Sequence, residues 1–149
     1  MSGRLLPALA LAVALPMVLG GCAVGDALQH RTSGRVDTTE ALEHAWRSPA
    51  SQPDWVPDDA TRIRFVAETR GGADRAAAAV RVATATALPA SCAGVERRSR
   101  HAVEVAWAPS ALPDTVQRCG NWAVVRVDGG WFGWTPLASE ADAHLHPRP

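Results

Sequence analysis

The chain contains no lysine and no tyrosine among its 149 residues. Its 15 positively charged side chains are therefore all arginine, and they balance 15 Asp and Glu to a formal net charge of +0. A balanced charge argues against general nucleic-acid binding, which depends on a basic surface. Local catalytic and cofactor motifs are also missing, including the nucleophile elbow, His-Glu-x-x-His, phosphate-binding loops and calcium loops. We therefore predict a protein that is not an enzyme and uses no cofactor or nucleic-acid partner.

The sequence also lacks an apolar run long enough to span a membrane. Arg4 precedes an apolar stretch over residues 5–19, which is shorter than the ~20 residues a membrane helix needs. Two prolines interrupt the stretch, which further disfavours an uncleaved membrane anchor. The small residues Gly20 and Gly21 then stand directly before Cys22.

This N-terminal arrangement resembles the signal peptide and lipobox of bacterial lipoproteins. The resemblance implies that residues 1–21 are a cleaved signal peptide and that Cys22 carries a lipid anchor, a diacylglyceryl group with fatty acids such as palmitate. It also implies attachment to the extracytoplasmic face of the cell membrane. The alternative is an ordinary secretory signal that happens to end at a cysteine.

The chain as a whole is similar to small lipoproteins of actinobacteria. These share a Trp-Val-Pro segment, two cysteines and a C-terminal Gly-Trp-Thr-Pro, which occur here at 55–57, Cys92, Cys119 and 133–136. This group brings no known activity with it.

Two cysteines remain beyond the lipobox, Cys92 and Cys119. An even pair in an exported protein is most simply a disulfide. A metal or redox site is the alternative, but no Cys-x-x-Cys occurs and no histidine lies at ligand spacing from either cysteine. We predict one disulfide and no metal site.

The pattern beyond Cys22 predicts a tether, one domain and a tail. Residues 22–36 read as a flexible tether, 37–137 as a single globular extracytoplasmic domain, and 138–149 as a disordered tail. Asp37, with Glu40 three residues on, predicts the start of a short N-terminal helix that ends before Pro49.

Most of the domain has the two-residue alternation of strands. The segments 62–68 and 102–107 alternate, 122–127 is a strongly β-prone run, and 128–130 form a turn from which 131–135 returns as a hairpin partner. Residues 76–87 are ambiguous between strand and helix, and we favour a strand. The predicted fold is α+β or mainly β, with four or five strands in a small antiparallel sheet, one short helix and one disulfide.

The hairpin over 121–136 resembles the Trp-x-x-Val…Asp-Gly…Gly-Trp hairpin of bacterial SH3-like (SH3b) domains, which often bind cell-wall peptides or glycans. Alternation puts Trp131 and Gly133 on one face of this hairpin, with Phe132 and Trp134 on the other. Trp131 and Trp134 are therefore candidate ligand-binding residues. The alternative is that they fill the core of a small domain, as we expect for the four tryptophans at 46, 55, 107 and 122.

Three polar clusters are further candidates. Asp58 and Asp59 form a carboxylate pair that is either a metal or acid/base site or, more simply, a solvated pair that opens a turn or a helix. The basic segment 97–101 is either a solvated loop or a contact for lipid head groups or anionic wall polymers. His144 and His146 share one side of an extended chain, but chance histidines in a frayed tail explain them more simply than a weak metal site.

Together these patterns predict a membrane-anchored extracytoplasmic lipoprotein with a non-catalytic binding or structural role at the cell envelope. Its expected partners are the membrane, through the anchor, and an envelope protein or a cell-wall glycan. Two alternatives stay open: an SH3b-like module that binds wall glycans or peptides, and a small envelope hydrolase with a site assembled from distant residues.

Overall fold

The computed structural model describes residues 30–137, which form one open antiparallel sheet and one helix. The strand order is β1-β2-β3-β7-β6-β5-β4. In chain order the elements are β1 (Arg31–Val36), α1 (Thr39–Ala45), β2 (Thr61–Glu68), β3 (Ala78–Ala83), β4 (Ala93–Glu96), β5 (Thr115–Cys119), β6 (Trp122–Val127) and β7 (Gly130–Thr135). The predicted mainly β fold, with one short helix and one disulfide, is confirmed, although the described residues hold seven strands rather than four or five.

Two strand meanders join edge to edge in this sheet. The first runs β1-β2-β3, and the second returns from the far edge as β4-β5-β6-β7. They meet where β3 pairs with β7, so that Val80 lies opposite Gly133 and Val82 opposite Trp131. The hairpin from β6 to β7 turns at Gly129, whose φ of 72° lies in the left-handed region that glycine adopts without strain.

The helix face of the sheet is the side covered by α1 and by residues 46–60. Its core is built around three tryptophans: the ring centroid of Trp122 lies 6.2 Å from that of Trp46 and 5.9 Å from that of Trp55. Leu42 anchors α1 in this core. A Cβ on Gly133 would overlap the ring of Trp55, so the middle strand must carry glycine where this ring crosses it.

The loop face is the opposite side of the sheet, which the segment 97–114 partly covers. Phe132 and Trp134 of β7 are 0% and 1% exposed on this side, and Val103 of the covering segment is 1% exposed. Both faces of the central strands are therefore buried. This explains why the alanine-rich stretch 76–87 lacks a clear alternation, and its interpretation as a strand is confirmed by β3.

The structure corrects the boundary between tether and domain. Residues 31–36 are not tether but the edge strand β1, which pairs with β2 along its whole length. Gly34 lies opposite Phe65, and a Cβ at Gly34 would come within 2.7 Å of that ring, so the glycine serves close packing rather than flexibility. The helix cap also moves by one residue, because Thr38 rather than Asp37 accepts the backbone N–H of Ala41 at 3.1 Å.

The strand predicted over 102–107 is also wrong. This stretch has no strand in the structure, and its alternating apolar residues Val103, Val105 and Trp107 pack onto the loop face from above. Their alternate spacing thus arises because they pack against the sheet, although they do not form a strand of it. The strands that fill this part of the chain are β4 and β5, which border the covering segment on either side.

Candidate functional site

The predicted disulfide is present between Cys92 and Cys119, whose Cα atoms are 4.4 Å apart. It joins the residue before β4 to the last residue of β5, two strands that pair in antiparallel register. The covering segment 97–114 lies within the loop that this bond closes. The disulfide therefore restrains both the edge of the sheet and the segment that shields the loop face.

The two tryptophans predicted to bind ligand have different environments. Trp134 is 1% exposed and packs against Phe132 with ring centroids 5.9 Å apart, so it is core rather than ligand surface. The prediction is corrected at this position because β7 is a central strand and the segment 97–114 covers that face. Trp131, on the helix face, is only partly buried.

Trp131 lines a cavity of about 670 Å³ beside the disulfide, together with Leu88, Val124 and Arg126. Its indole N–H donates to the Thr86 carbonyl oxygen at 2.9 Å. The Arg126 guanidinium carbon lies 4.8 Å from the ring centroid, so a cation covers one face of the ring. The ring is fixed in position, and the space beside it is largely apolar.

Asp58 and Asp59 have different structural roles. Asp59 accepts hydrogen bonds from the hydroxyls of Thr84 and Thr86 at 2.9 and 2.8 Å, which ties the segment 46–60 to the end of β3. Asp58 lines a small cavity of about 160 Å³ under α1. The predicted turn at these residues is confirmed.

The basic segment 97–101 likewise does not act as one surface. Arg97 Nε donates to the Pro113 carbonyl oxygen at 2.8 Å, and a terminal nitrogen of Arg97 lies 3.8 Å from Asp114. His101 places Nδ1 2.8 Å from the Val103 carbonyl oxygen and its ring 5.7 Å from that of Phe132. These two side chains hold the covering segment in place.

A row of three arginines crosses the first three strands, and no local pattern in the sequence marks it. Arg35 of β1 is paired in register with Arg64 of β2, which is paired with Arg81 of β3. Directly paired residues point to the same side of a sheet, and the next member of the row is Phe132 on the loop face. The arginine row, defined as Arg35, Arg64 and Arg81, therefore lies on the loop face beside the apolar region that segment 97–114 covers.

Two members of the row line an open cavity of about 540 Å³, which we call the arginine groove. Arg64 and Arg81 line it with Arg62, Trp107 and Asp128. Arg81 is held there because its guanidinium donates to the Trp107 carbonyl oxygen at 2.8 Å. Arg62 has a φ of 47° at an irregularity in the pairing of β2 with β3, a backbone state that is costly for a side-chain-bearing residue.

The arginines of the groove have no carboxylate partner within the part of the chain that the structure describes. None of Arg62, Arg64 and Arg81 has a guanidinium nitrogen within 4.0 Å of an Asp or Glu oxygen of residues 30–137. Asp128, in the turn between β6 and β7, is the acid in the groove lining. The groove thus concentrates positive charge that the described domain leaves largely unneutralised.

One shallow cavity, of about 500 Å³, brings together residue types found in hydrolases. His101, Glu104 and Ser110 all line it. No hydrogen bond between any two of these three side chains is formed among the described residues, and His101 Nδ1 is directed to a backbone carbonyl instead. The arrangement lacks the base-to-nucleophile contact that activates a serine.

Several predicted features lie outside residues 30–137, namely Cys22, His144 and His146. Within these described residues no group of three or more His, Cys, Asp and Glu side chains is placed to hold a metal ion. No helix in the same range has the length and apolarity needed to cross a membrane. Comparisons with models of protein families, with curated proteins and with solved structures found no match to this chain.

Proposed function

We propose that the protein is a lipid-anchored, extracytoplasmic binding protein of the cell envelope that performs no catalysis. The observation that carries this proposal is the Cys92–Cys119 disulfide in a chain that opens with a lipobox-like sequence. Disulfides persist in oxidising compartments outside the cytoplasm, which is where a lipoprotein signal would deliver the domain. A lipid on Cys22 and a bond between the other two cysteines would account for all three cysteines.

The cavities of the domain support binding rather than catalysis. The arginine groove contains three arginines, of which Arg81 is held by a hydrogen bond, and the Trp131 cavity contains a fixed aromatic ring and apolar walls. Surfaces of this kind bind anions and amphipathic ligands through positioned charge and stacking. The partner would be an envelope component close to the membrane, because the anchor holds the domain there.

Fatty-acid labelling tests the anchor directly. Cells that express the protein are grown with a labelled fatty acid, and the protein is then isolated under denaturing conditions. We expect label on the native chain and none on Cys22→Ser, because the thiol that accepts the lipid is gone. Cys119→Ser is the matched control and should keep its label. A native chain without label, or a Cys22→Ser chain that retains it, would refute the proposal.

Binding of a cell-wall glycan or peptide in the Trp131 cavity is a second candidate function. The partly buried ring and the adjacent space of about 670 Å³ favour it. Retention on purified cell wall should fall in Trp131→Ala, since the stacking surface is lost, and should be unchanged in Arg75→Ala. Arg75 is the control because it lies in an exposed turn and pairs only with its neighbour Asp74. Equal retention of both variants would exclude this candidate.

A further inference from the structure

The arginine row departs from the ordinary rule for sheets. Like charges directly opposite each other on neighbouring strands destabilise the pairing, and here the arrangement occurs twice in succession. Register partners lie about 4.5–5.5 Å apart between Cα atoms, so the three side chains start from neighbouring positions on one face of the sheet. Departures of this kind are expected at functional or strained sites.

We propose that the arginine row and groove form a binding site for a phosphoryl-bearing anion. A guanidinium group presents a planar fork of N–H donors that matches phosphate oxygens, and several forks share one phosphoryl group because it offers several oxygens and more than one charge. A carboxylate has only two oxygens and a single negative charge to share among such forks. A line of adjacent arginines is therefore better matched to a phosphoryl group than to an isolated carboxylate.

The groove also has the shape and the fixed positions that such a site needs. Arg81 is oriented by its bond to the Trp107 carbonyl oxygen, and the strand register fixes Arg64 beside it. Arg62 lines the same cavity from the irregular start of β2. Arg81 is oriented without the ligand, so the ligand meets at least one charge that is already arranged.

Asp128 gives the proposal a sharp test because it lies in the same lining. Its carboxylate repels an anion, so Asp128→Asn should strengthen binding. Asn is close to Asp in size and is likewise common in turns, so this substitution should leave the turn between β6 and β7 intact. Removal of an arginine from the groove should have the opposite effect.

The experiment is a calorimetric titration of the full chain, extracted from membranes in a non-ionic detergent, with inorganic pyrophosphate. We expect binding that weakens about tenfold or more in Arg64→Gln, the loss of one charge-assisted contact, and that tightens in Asp128→Asn. Arg70→Gln is the matched control, because it removes the same charge from the exposed turn at the other end of the β2–β3 hairpin. Its affinity should equal that of the native chain.

Two additional probes identify the source of the phosphoryl group and its selectivity. Glycerophosphoglycerol, the deacylated head group of phosphatidylglycerol, binds as well as pyrophosphate if the natural source is a lipid, and binds more weakly if the source is a soluble phosphate. Glutarate, a dicarboxylate measured at the same ionic strength, should bind least. The proposal is overturned if neither phosphoryl probe binds, if glutarate binds as tightly, or if Arg70→Gln loses as much affinity as Arg64→Gln.

The proposal rests on the proposed function only for where the ligand comes from. The titration reports the groove of the purified chain, whereas fatty-acid labelling reports Cys22. A chain without a lipid could still bind pyrophosphate, and a lipidated chain could fail to bind it. The two results therefore distinguish a failure of the site from a failure of the anchor.

Discussion

At the scale of single residues, the tryptophans determine how both sides of the sheet are filled. Trp55 and Trp122 lie in the core of the helix face, and Trp134 lies in the core of the loop face. Trp131 differs because it is partly buried at the rim of a cavity and uses its N–H on a backbone carbonyl. The two tryptophans of β7 thus have different roles. Trp134 stabilises the core, and Trp131 forms part of a cavity wall.

Substitution of these two residues should separate the roles. Trp134→Ala is expected to lower the free energy of unfolding by about 3–5 kcal/mol, because it leaves a cavity in the core. Trp131→Ala removes one hydrogen bond and one cation–π contact and should cost only about 1–2 kcal/mol. Urea unfolding of both variants measures the difference. A larger loss in Trp131→Ala than in Trp134→Ala would contradict the assigned burial.

Alternation alone predicted that Trp131 and Trp134 face opposite sides, and the structure confirms this. It could not predict which side would be open to ligand, because that depends on the distant segment 97–114. The arginine row was hidden for a similar reason. Arg35, Arg64 and Arg81 are far apart in sequence, and only the register between strands brings them together.

At the scale of elements, the stability of the sheet depends on how the edge strand β4 is held in place. β4 is a four-residue edge strand with largely exposed residues, and the loop after it must return across the loop face before β5 begins. The disulfide fixes the base of this long loop, and its two cysteines are separated by 27 positions in the sequence. The covering segment adds its own restraint through Arg97 and the Pro113 carbonyl oxygen.

Loss of the disulfide should therefore be costly. The double variant Cys92→Ser/Cys119→Ser is expected to lose about 3–4 kcal/mol of unfolding free energy, as loop closure in the unfolded chain predicts. Reduction of the native protein with a thiol should lower its urea midpoint to that of the double variant. Reduction should leave the midpoint of the double variant unchanged. Native protein whose midpoint is unchanged on reduction would show that the bond is not formed.

The elements that sequence predicted well are those with a local signal. The hairpin of β6 and β7 has its Asp-Gly turn, and α1 has a capping residue and a proline soon after its end. β1 was assigned to the tether because its polar edge residues and Gly34 resemble a linker. β4 and β5 were missed because they are short, and the stronger alternation at 102–107 belongs to a segment that lies over the sheet.

At the scale of the whole molecule, the proposed anchor at Cys22 would belong to the same chain as a disulfide-bonded domain with a positively charged groove. Within the described residues, β1 is the strand nearest in sequence to Cys22, and it carries the first arginine of the row. A lipid on Cys22 would therefore be attached 13 positions before Arg35, the first arginine of the row. The net charge of the chain is +0, but the arginine groove is locally positive. On the proposed function, this local charge would select anionic partners.

The intact mass of the protein extracted from native membranes, measured with and without reduction, tests the central claim most directly. We predict a mass that corresponds to a chain beginning at Cys22 and carrying acyl groups, and an increase by two hydrogen atoms on reduction of the Cys92–Cys119 bond. A mass that retains Met1, or an unacylated chain with free thiols, would contradict the proposal of an extracytoplasmic lipoprotein.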